Sequence, residues 1–201
     1  MTFREALARQ RWDDHRYYHH SVVNQSLHLL SALTFLCSYA LVWTEPAAAV
    51  LLAWIVAMPS RQIGHFFFEP RDYDVVNDAT HEYKEAVKVG YNLRRKVVLM
   101  TAWACGPLVL IWNPTLLGLL DAPASVRQFA DNVAIVWLVI GVAALVGRTL
   151  QLFYIRSVQT GLVWCTKILT DPFHDVMLYR GAPLRLLRGE RFDPIVLHET
   201  L

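Results

Sequence analysis

Long apolar stretches alternate with shorter polar ones along this chain. Four stretches are dominated by apolar side chains: residues 27–43, 46–60, 97–120 and 133–155. Each comes near the roughly 20 residues that a helix needs to cross a bilayer, although the first two are short. The pattern predicts an all-α fold, an integral membrane helical bundle with about four transmembrane helices.

Charged residues cluster between the apolar stretches instead of being scattered through them. They collect in residues 1–16, 61–96 and 148–191. Alternating exposure to lipid and water produces this block pattern, and hydrophobic residues make up 55% of the 201 residues. We therefore expect one membrane domain over residues 1–201, with 61–96 and 156–201 forming cytoplasmic elements that include amphipathic helices.

A tight connection joins the first two apolar stretches. It consists of Thr44, Glu45 and Pro46. Proline can begin a helix because the N–H that it lacks would have no helical partner at that position. The first two stretches are therefore expected to form a helical hairpin, which must tilt, thin the bilayer or use flanking residues to span it fully.

The basic residues predict the orientation of the chain. With four crossings, both termini and residues 61–96 share one face, and that face holds every Lys and Arg except Arg127. Because basic residues are enriched on the cytoplasmic side, both termini are expected in the cytoplasm. The charged start of the chain has no small-residue cleavage motif, which argues against a removed signal peptide.

Several other classes of site find no support in the sequence. Cys37, Cys105 and Cys165 are odd in number and lack the close pairs of zinc ribbons or redox motifs, so we interpret them as small core or lipid-facing residues. The sequence has no Gly-rich phosphate loop and no serine nucleophile elbow. Its basic residues can contact anionic lipid heads, which requires no nucleic-acid partner.

The first polar cluster lies where the first apolar stretch begins. Ser21 is a good N-cap, so His19 and His20 lie on non-helical chain before the helix and compete for one inward-facing position. Asn24 and His28 then share a helix face, with Asn24 available to orient a ligand or substrate. Taken singly, each histidine could equally be an interfacial polar residue.

The second polar cluster ends the second apolar stretch. The hairpin returns His65 beside the start of the first helix, and Gly64 permits close approach of the two backbones. Glu69, one turn beyond, can accept the ring N–H of His65, ligate a metal directly or face water. Histidine is the commonest protein metal ligand, and polar residues inside lipid usually have a function. The two clusters therefore predict one metal site at the membrane boundary.

Two motifs in these clusters resemble the signature of a known family, the small membrane 2-hydroxy fatty acid dioxygenases. They are His19-x4-Asn24-x3-His28 after two tyrosines, and Gln62-Ile63-Gly64-His65-x3-Glu69. The resemblance covers roughly residues 15–70. It implies an α-helical membrane enzyme that uses Fe(II) and O2 to shorten a 2-hydroxy fatty acid by one carbon, the α-oxidation step of phytosphingosine breakdown.

The resemblance also implies roles for individual residues. The matching residues are His19, Asn24, His28 and His65, together with His20 and Glu69. Three of them, His19, His28 and His65, would bind one Fe(II) ion. Ser21 and Val22 stand where family members often have Asn-Pro, and residues 70–74 differ from the basic residues and Pro-Ala of the family. The far wall of the pocket, and with it the choice of substrate, therefore stays open.

Arg61 is the candidate for binding a substrate carboxylate, since guanidinium groups bind carboxylates through two N–H groups. Alternatively, it extends to lipid phosphates at the membrane surface. An Fe(II) centre with open positions can hold both dioxygen and a chelating 2-hydroxy carboxylate. The expected partners are thus a 2-hydroxy fatty acid or related lipid, O2 and membrane lipids, while the sequence indicates no oligomeric state.

Two further histidines could extend the site. His81 forms an i,i+4 pair with Glu85, and Asp171, followed by proline, is a strong helix start that puts His174 in a first turn. Each histidine is either an added metal ligand or a solvated side chain. If both join, two irons are possible, as in membrane fatty acid hydroxylases and desaturases, although the histidine boxes of those enzymes are not reproduced.

Some polar residues are expected to have no role in the site. His15 and His198 are assigned to solvent. Arg148 either marks the cytoplasmic end of the fourth helix or pairs with a buried acid or carbonyl. Residues 180–191 predict an amphipathic helix on the membrane surface.

Two rival functions stay open at this point. One is a di-iron lipid hydroxylase or desaturase-like enzyme, which would hold two metals and need an electron donor. The other is a non-enzymatic membrane protein that binds haem or lipid. Haem binding through two histidines would require facing histidines deeper in the bundle.

Overall fold

The computed structural model describes residues 1–69, 71–75 and 77–193. Within these ranges the chain forms nine α-helices, one π-helical turn and no β-strand. The helices are α1 (Phe3–Tyr18), α2 (Val22–Leu41), α3 (Pro46–Leu52), α4 (Met58–Phe67), α5 (His81–Val87), α6 (Leu93–Trp112), α7 (Val126–Ile155), α8 (Val158–Tyr179) and α9 (Ala182–Leu187). The prediction of an all-α fold is confirmed.

Three helices in the described part of the chain are long and apolar enough to cross a membrane. They are Pro46–Phe67, in which α3 and α4 are joined by the π-helical turn, together with α6 and α7. Large apolar side chains on α6 and α7 are exposed, among them Val98, Ile111 and Val139. Soluble proteins rarely expose extended apolar surface, so these helices are compatible with integration into a membrane.

Two of these three helices begin at polar caps and not at the first apolar residue. α6 begins after Asn92 and α7 begins after Ser125, whose side chains accept the backbone N–H three residues later. The predicted starts at 97 and 133 were therefore late, and α6 ends at Trp112 instead of residue 120. The second helix, Pro46–Phe67, has 22 residues and so extends beyond the short apolar stretch 46–60.

The predicted hairpin is present. α2 begins after Ser21, whose hydroxyl accepts the N–H of Asn24 at 3.5 Å. Pro46 opens α3, and α2 packs against both α3 and α4. The π-helical turn Ala53–Ala57 adds a residue to the helical repeat, which rotates α4 by about 100° relative to a regular continuation of α3. This rotation changes which side chains of α4 face α2.

The structure corrects the helix start predicted at Asp171. α8 runs without interruption from Val158 to Tyr179 with Pro172 inside it. Its N-cap is Ser157, whose hydroxyl accepts a backbone N–H at 3.1 Å. Asp171 instead pairs with the ammonium of Lys167 at 2.6 Å, one turn earlier in the same helix. This long helix packs against α1, α2 and α7.

Two further predictions concern Arg148 and residues 180–191. Arg148 is buried and donates to the carbonyl oxygens of Val89 and Gly90, which confirms one of its two predicted alternatives. The amphipathic helix predicted over residues 180–191 is reduced to α9, which has six residues. Its Leu187 is exposed, while Leu186 packs on the protein.

Candidate metal centre

Three histidines from separate segments of the chain converge at one point. His19 lies between α1 and α2, His28 on α2 and His65 on α4. One ring nitrogen from each lies within 4.8 Å of those of the other two. The ring centroids are 4.0 Å apart for His19 and His28, and 4.9 Å apart for His28 and His65.

The end of α1 determines which of the two adjacent histidines faces the cluster. His19 follows the last residue of α1 with a non-helical backbone, φ −117° and ψ 35°, and its ring turns inward. The ring of His20 instead contacts the carbonyl of Arg16 and lies 3.5 Å from a carboxylate oxygen of Asp74. His19 therefore takes the inward-facing position for which the two residues compete, and His20 lies outside the cluster.

Two of the clustered rings are held through their Nδ1 atoms, and the third has a carboxylate near the same atom. Nδ1 of His19 lies 2.9 Å from the phenol oxygen of Tyr179, and Nδ1 of His65 lies 2.8 Å from a carboxylate oxygen of Glu69. Nδ1 of His28 lies 3.7 Å from a carboxylate oxygen of Asp175. Metal-bound histidines usually have such a partner on the second ring nitrogen, which leaves Nε2 for the metal.

The cluster leaves buried nitrogen atoms without hydrogen bonds. Nε2 of His19 and both ring nitrogens of His28 have no hydrogen-bond partner among the described residues. Buried polar atoms nearly always have a partner. These nitrogen atoms are therefore available to bind a ligand from outside the described chain. Burial holds the pKa of His19 well below its usual value, so its ring is neutral. Three neutral imidazoles fit iron or zinc.

Gly64 and Asn24 bring the two helices into contact beside the histidines. A Cβ atom at Gly64 would overlap the amide oxygen of Asn24 and lie 3.5 Å from the ring of His28. Asn24 is fully buried, and its amide nitrogen donates to the carbonyl of Tyr18 at 2.8 Å. The close approach predicted for Gly64 is present, and Asn24 fixes the end of α1 against α2.

Arg61 points into the protein and forms an ion pair with Asp175. The same carboxylate oxygen of Asp175 lies near Nδ1 of His28. Burial alone would raise the pKa of Asp175, but Arg61 and His28 lower it to about 2, so the carboxylate stays ionised. The described partner of Arg61 is thus a buried carboxylate of the protein itself.

The other predicted histidines lie elsewhere. His81 is the first residue of α5 and is partly exposed. His174 is partly exposed on α8, where burial and the charge of Arg11 lower its pKa. No group of three or more potential ligands besides the histidine triad occurs among the described residues.

Two histidines had been assigned to solvent. For His15 this was wrong, because α1 packs against α8: its side chain is buried and lies 3.2 Å from the phenol oxygen of Tyr179. His198 lies outside the described residues.

The sequence pattern pointed to His174 on α8 but not to Asp175 and Tyr179, which are the residues of this helix that lie beside the triad. Four of its buried polar side chains recur at intervals of four residues: Lys167, Asp171, Asp175 and Tyr179. Side chains four apart lie on one helix face, so this spacing could have indicated a polar stripe that faces the protein. A helix start at Pro172, as predicted, would divide this four-residue spacing between two elements.

A largely apolar cavity reaches the histidine site. Its volume is about 490 Å³, and it is lined by side chains of α1, α2, α3, α4, α6, α7 and α8. Trp54, Met100 and Leu145 line its apolar part, while Arg61 and His65 line its polar part. A pocket of this size is typical of sites for small organic ligands.

The chain was also compared with known proteins. Neither a family model, nor a curated protein, nor a solved structure matches it. Functional inference therefore depends on the geometry of the site and on the motifs in the sequence.

Proposed function

We propose that this protein is an Fe(II)-dependent membrane dioxygenase that converts 2-hydroxy fatty acids to fatty acids one carbon shorter. The observation that supports it most directly is the triad of His19, His28 and His65. His19 and His28 have buried, unpartnered ring nitrogens, and His65 lines an apolar cavity. The triad provides nitrogen ligands for a metal, and the cavity provides space for a hydrocarbon chain.

The proposed reaction is balanced with dioxygen as the only oxidant. The bond between the carboxyl carbon and C2 breaks, the carboxyl carbon leaves as CO2, and C2 becomes the new carboxyl group. The four electrons removed from the substrate reduce one O2, and one water is released. A bound iron would supply the redox chemistry and open coordination positions.

The protein's own groups would orient and shield this site. Tyr179 and Glu69 hold the rings of His19 and His65, so the ligands need little rearrangement when metal binds. Asp175 keeps Arg61 beside the cavity. The apolar lining would exclude water from the reacting end of the chain.

The proposal includes α2 as a fourth spanning helix, with both termini in the cytoplasm. The polar residues that lower the hydropathy of α2 include Asn24, Gln25 and His28, and all three are buried inside the protein. Its Leu30 and Leu33 are instead exposed, as lipid-facing residues would be. The distribution of basic residues supports the orientation.

The decisive experiment is a single turnover with defined metal content. Purified protein is stripped of metal, loaded with Fe(II) without oxygen and mixed with 2-hydroxypalmitic acid and O2. We expect mass spectrometry to detect pentadecanoic acid, and we expect His65→Gln to lose both iron and product. His81→Gln is the matched control and should keep both.

Some results would contradict the proposal. Folded, iron-loaded protein that leaves the acid unchanged would exclude this activity. Two irons per chain and a requirement for an electron donor would indicate a di-iron hydroxylase. A Soret band in the purified protein would indicate a haem protein.

A further inference from the structure

Basic side chains line the cavity, although most of its surface is apolar. They are Arg61, Lys88, Lys96 and Lys167. Three of these have acidic partners: Arg61 pairs with Asp175, Lys88 with Glu69 and Glu85, and Lys167 with Asp14 and Asp171. The charge of each of these three is therefore already balanced within the protein.

Lys96 differs from the other three. Its side chain belongs to α6 and is only 9% exposed. Among the described residues, its ammonium has no hydrogen-bond or ion-pair partner. A lysine so largely removed from water keeps its charge best when an anion lies close to it. An anionic ligand in contact with Lys96 would therefore be stabilised at this position.

Lys96 lies close to the histidine site. A second, much smaller cavity is lined by both Lys96 and His65, together with Glu69. The two acids that line this smaller cavity, Glu69 and Glu85, are already bound to Lys88 at 3.1 and 3.2 Å. An anion at Lys96 would thus lie at the polar end of the large cavity, with the apolar lining beyond it.

We propose that Lys96 binds the carboxylate of a long-chain acid whose hydrocarbon tail occupies the apolar cavity. One ammonium matches the single charge of a carboxylate, whereas phosphate groups are typically held by several donors or by guanidinium forks. This inference rests on the proposed function, because it assigns the group that would hold the acid end of the proposed substrate. Binding itself requires no metal, so the two can be tested separately.

The test measures binding to metal-free protein in detergent. A fluorescent fatty acid, cis-parinaric acid, is displaced by palmitic acid, by hexadecanol or by hexadecyl phosphate. Loss of one charge-assisted hydrogen bond weakens binding about 10-fold to 100-fold, and we expect this loss for palmitic acid with Lys96→Gln. Affinity for hexadecanol should not change. Arg94→Gln, an exposed charge on the same helix, is the matched control.

A variant that keeps the charge separates binding from folding. Lys96→Arg should bind palmitic acid within a few-fold of the unmodified protein, and all variants should unfold at similar temperatures. The proposal is overturned if Lys96→Gln binds palmitic acid normally, or if hexadecanol competes as well as the acid. Binding of hexadecyl phosphate at least about ten-fold tighter than the acid would assign the site to a lipid phosphate and overturn the carboxylate.

The two proposals fail in different ways. Lys96-dependent binding of palmitic acid without turnover by iron-loaded protein would remove the dioxygenase proposal and leave this one. Normal turnover and binding by Lys96→Gln would remove this inference and leave the dioxygenase. Metal content should be unchanged in Lys96→Gln, since Lys96 is not one of the triad.

Discussion

The phenol oxygen of Tyr179 lies 2.9 Å from Nδ1 of His19, although 160 residues separate them in the chain. Burial raises the pKa of Tyr179 well above its ordinary value, so the phenol keeps its proton. A His19 that binds metal through Nε2 carries its proton on Nδ1 and donates to this oxygen. The phenol can then donate to Nδ1 of His15, 3.2 Å away.

Removing the phenol oxygen should weaken metal binding. In Tyr179→Phe, Nδ1 of His19 loses its partner and the ring is less well oriented, so metal affinity should fall about 10-fold to 100-fold. The metal affinity is measured by titrating metal-free protein with Co(II) and recording the absorption spectrum at each step. Tyr91→Phe removes a hydroxyl that bonds Ala144 at 2.6 Å and should leave affinity unchanged. Equal affinities for both variants would contradict the role of Tyr179.

The Arg61 and Asp175 pair should be coupled in stability. Asp175→Leu leaves a buried guanidinium without its partner and should destabilise the metal-free protein by about 3–5 kcal/mol. Adding Arg61→Met should recover much of this loss. Denaturant unfolding in detergent gives the coupling energy. Losses of unfolding free energy that add up in the double variant would contradict the coupling. Arg9→Met, at an exposed pair, should cost about 0–1 kcal/mol.

The contact at Gly64 should tolerate no side chain. Gly64→Ala forces the buried amide of Asn24 to move, so we expect a loss of about 1–3 kcal/mol and weaker metal binding. The control is Gly147→Ala on α7, where a Cβ atom meets nothing within 4 Å. That change should stabilise the helix by up to about 1 kcal/mol. Similar melting temperatures for the two variants would disprove close packing at Gly64.

The metal stoichiometry should be one ion per chain. Elemental analysis of loaded protein should find this ratio unchanged in His81→Gln and in His174→Gln, because neither belongs to the triad. His28→Gln should lose the ion. A half-loss of metal in either control variant would reveal a second metal site.

Much of the site could be predicted from local signals. Ser21 caps α2 and Pro46 starts α3, as their residue types favour. The hairpin that follows brings His65 to His28. These predictions depended on short-range chemistry, which a single sequence records directly.

The contributions of α1 and α8 could not be predicted in the same way. His15 is buried and Tyr179 reaches His19 only because these two helices pack together. That contact joins residues far apart in the chain, and no local pattern specifies it. The π-helical turn before α4 likewise changes the phase of the helix, so regular periodicity cannot place His65 exactly on its face.

The position of α8 in the chain also affects how the centre is made. During synthesis, the ribosome completes all three histidines before it reaches Asp175 and Tyr179, a delay on the order of ten seconds at ordinary translation rates. Throughout that interval His19 lacks the phenol that its Nδ1 contacts, and His28 lacks the carboxylate that lies 3.7 Å from its Nδ1. Under the proposed function, stable capture of metal is expected only after α8 has docked, which would make loading a late step in biogenesis.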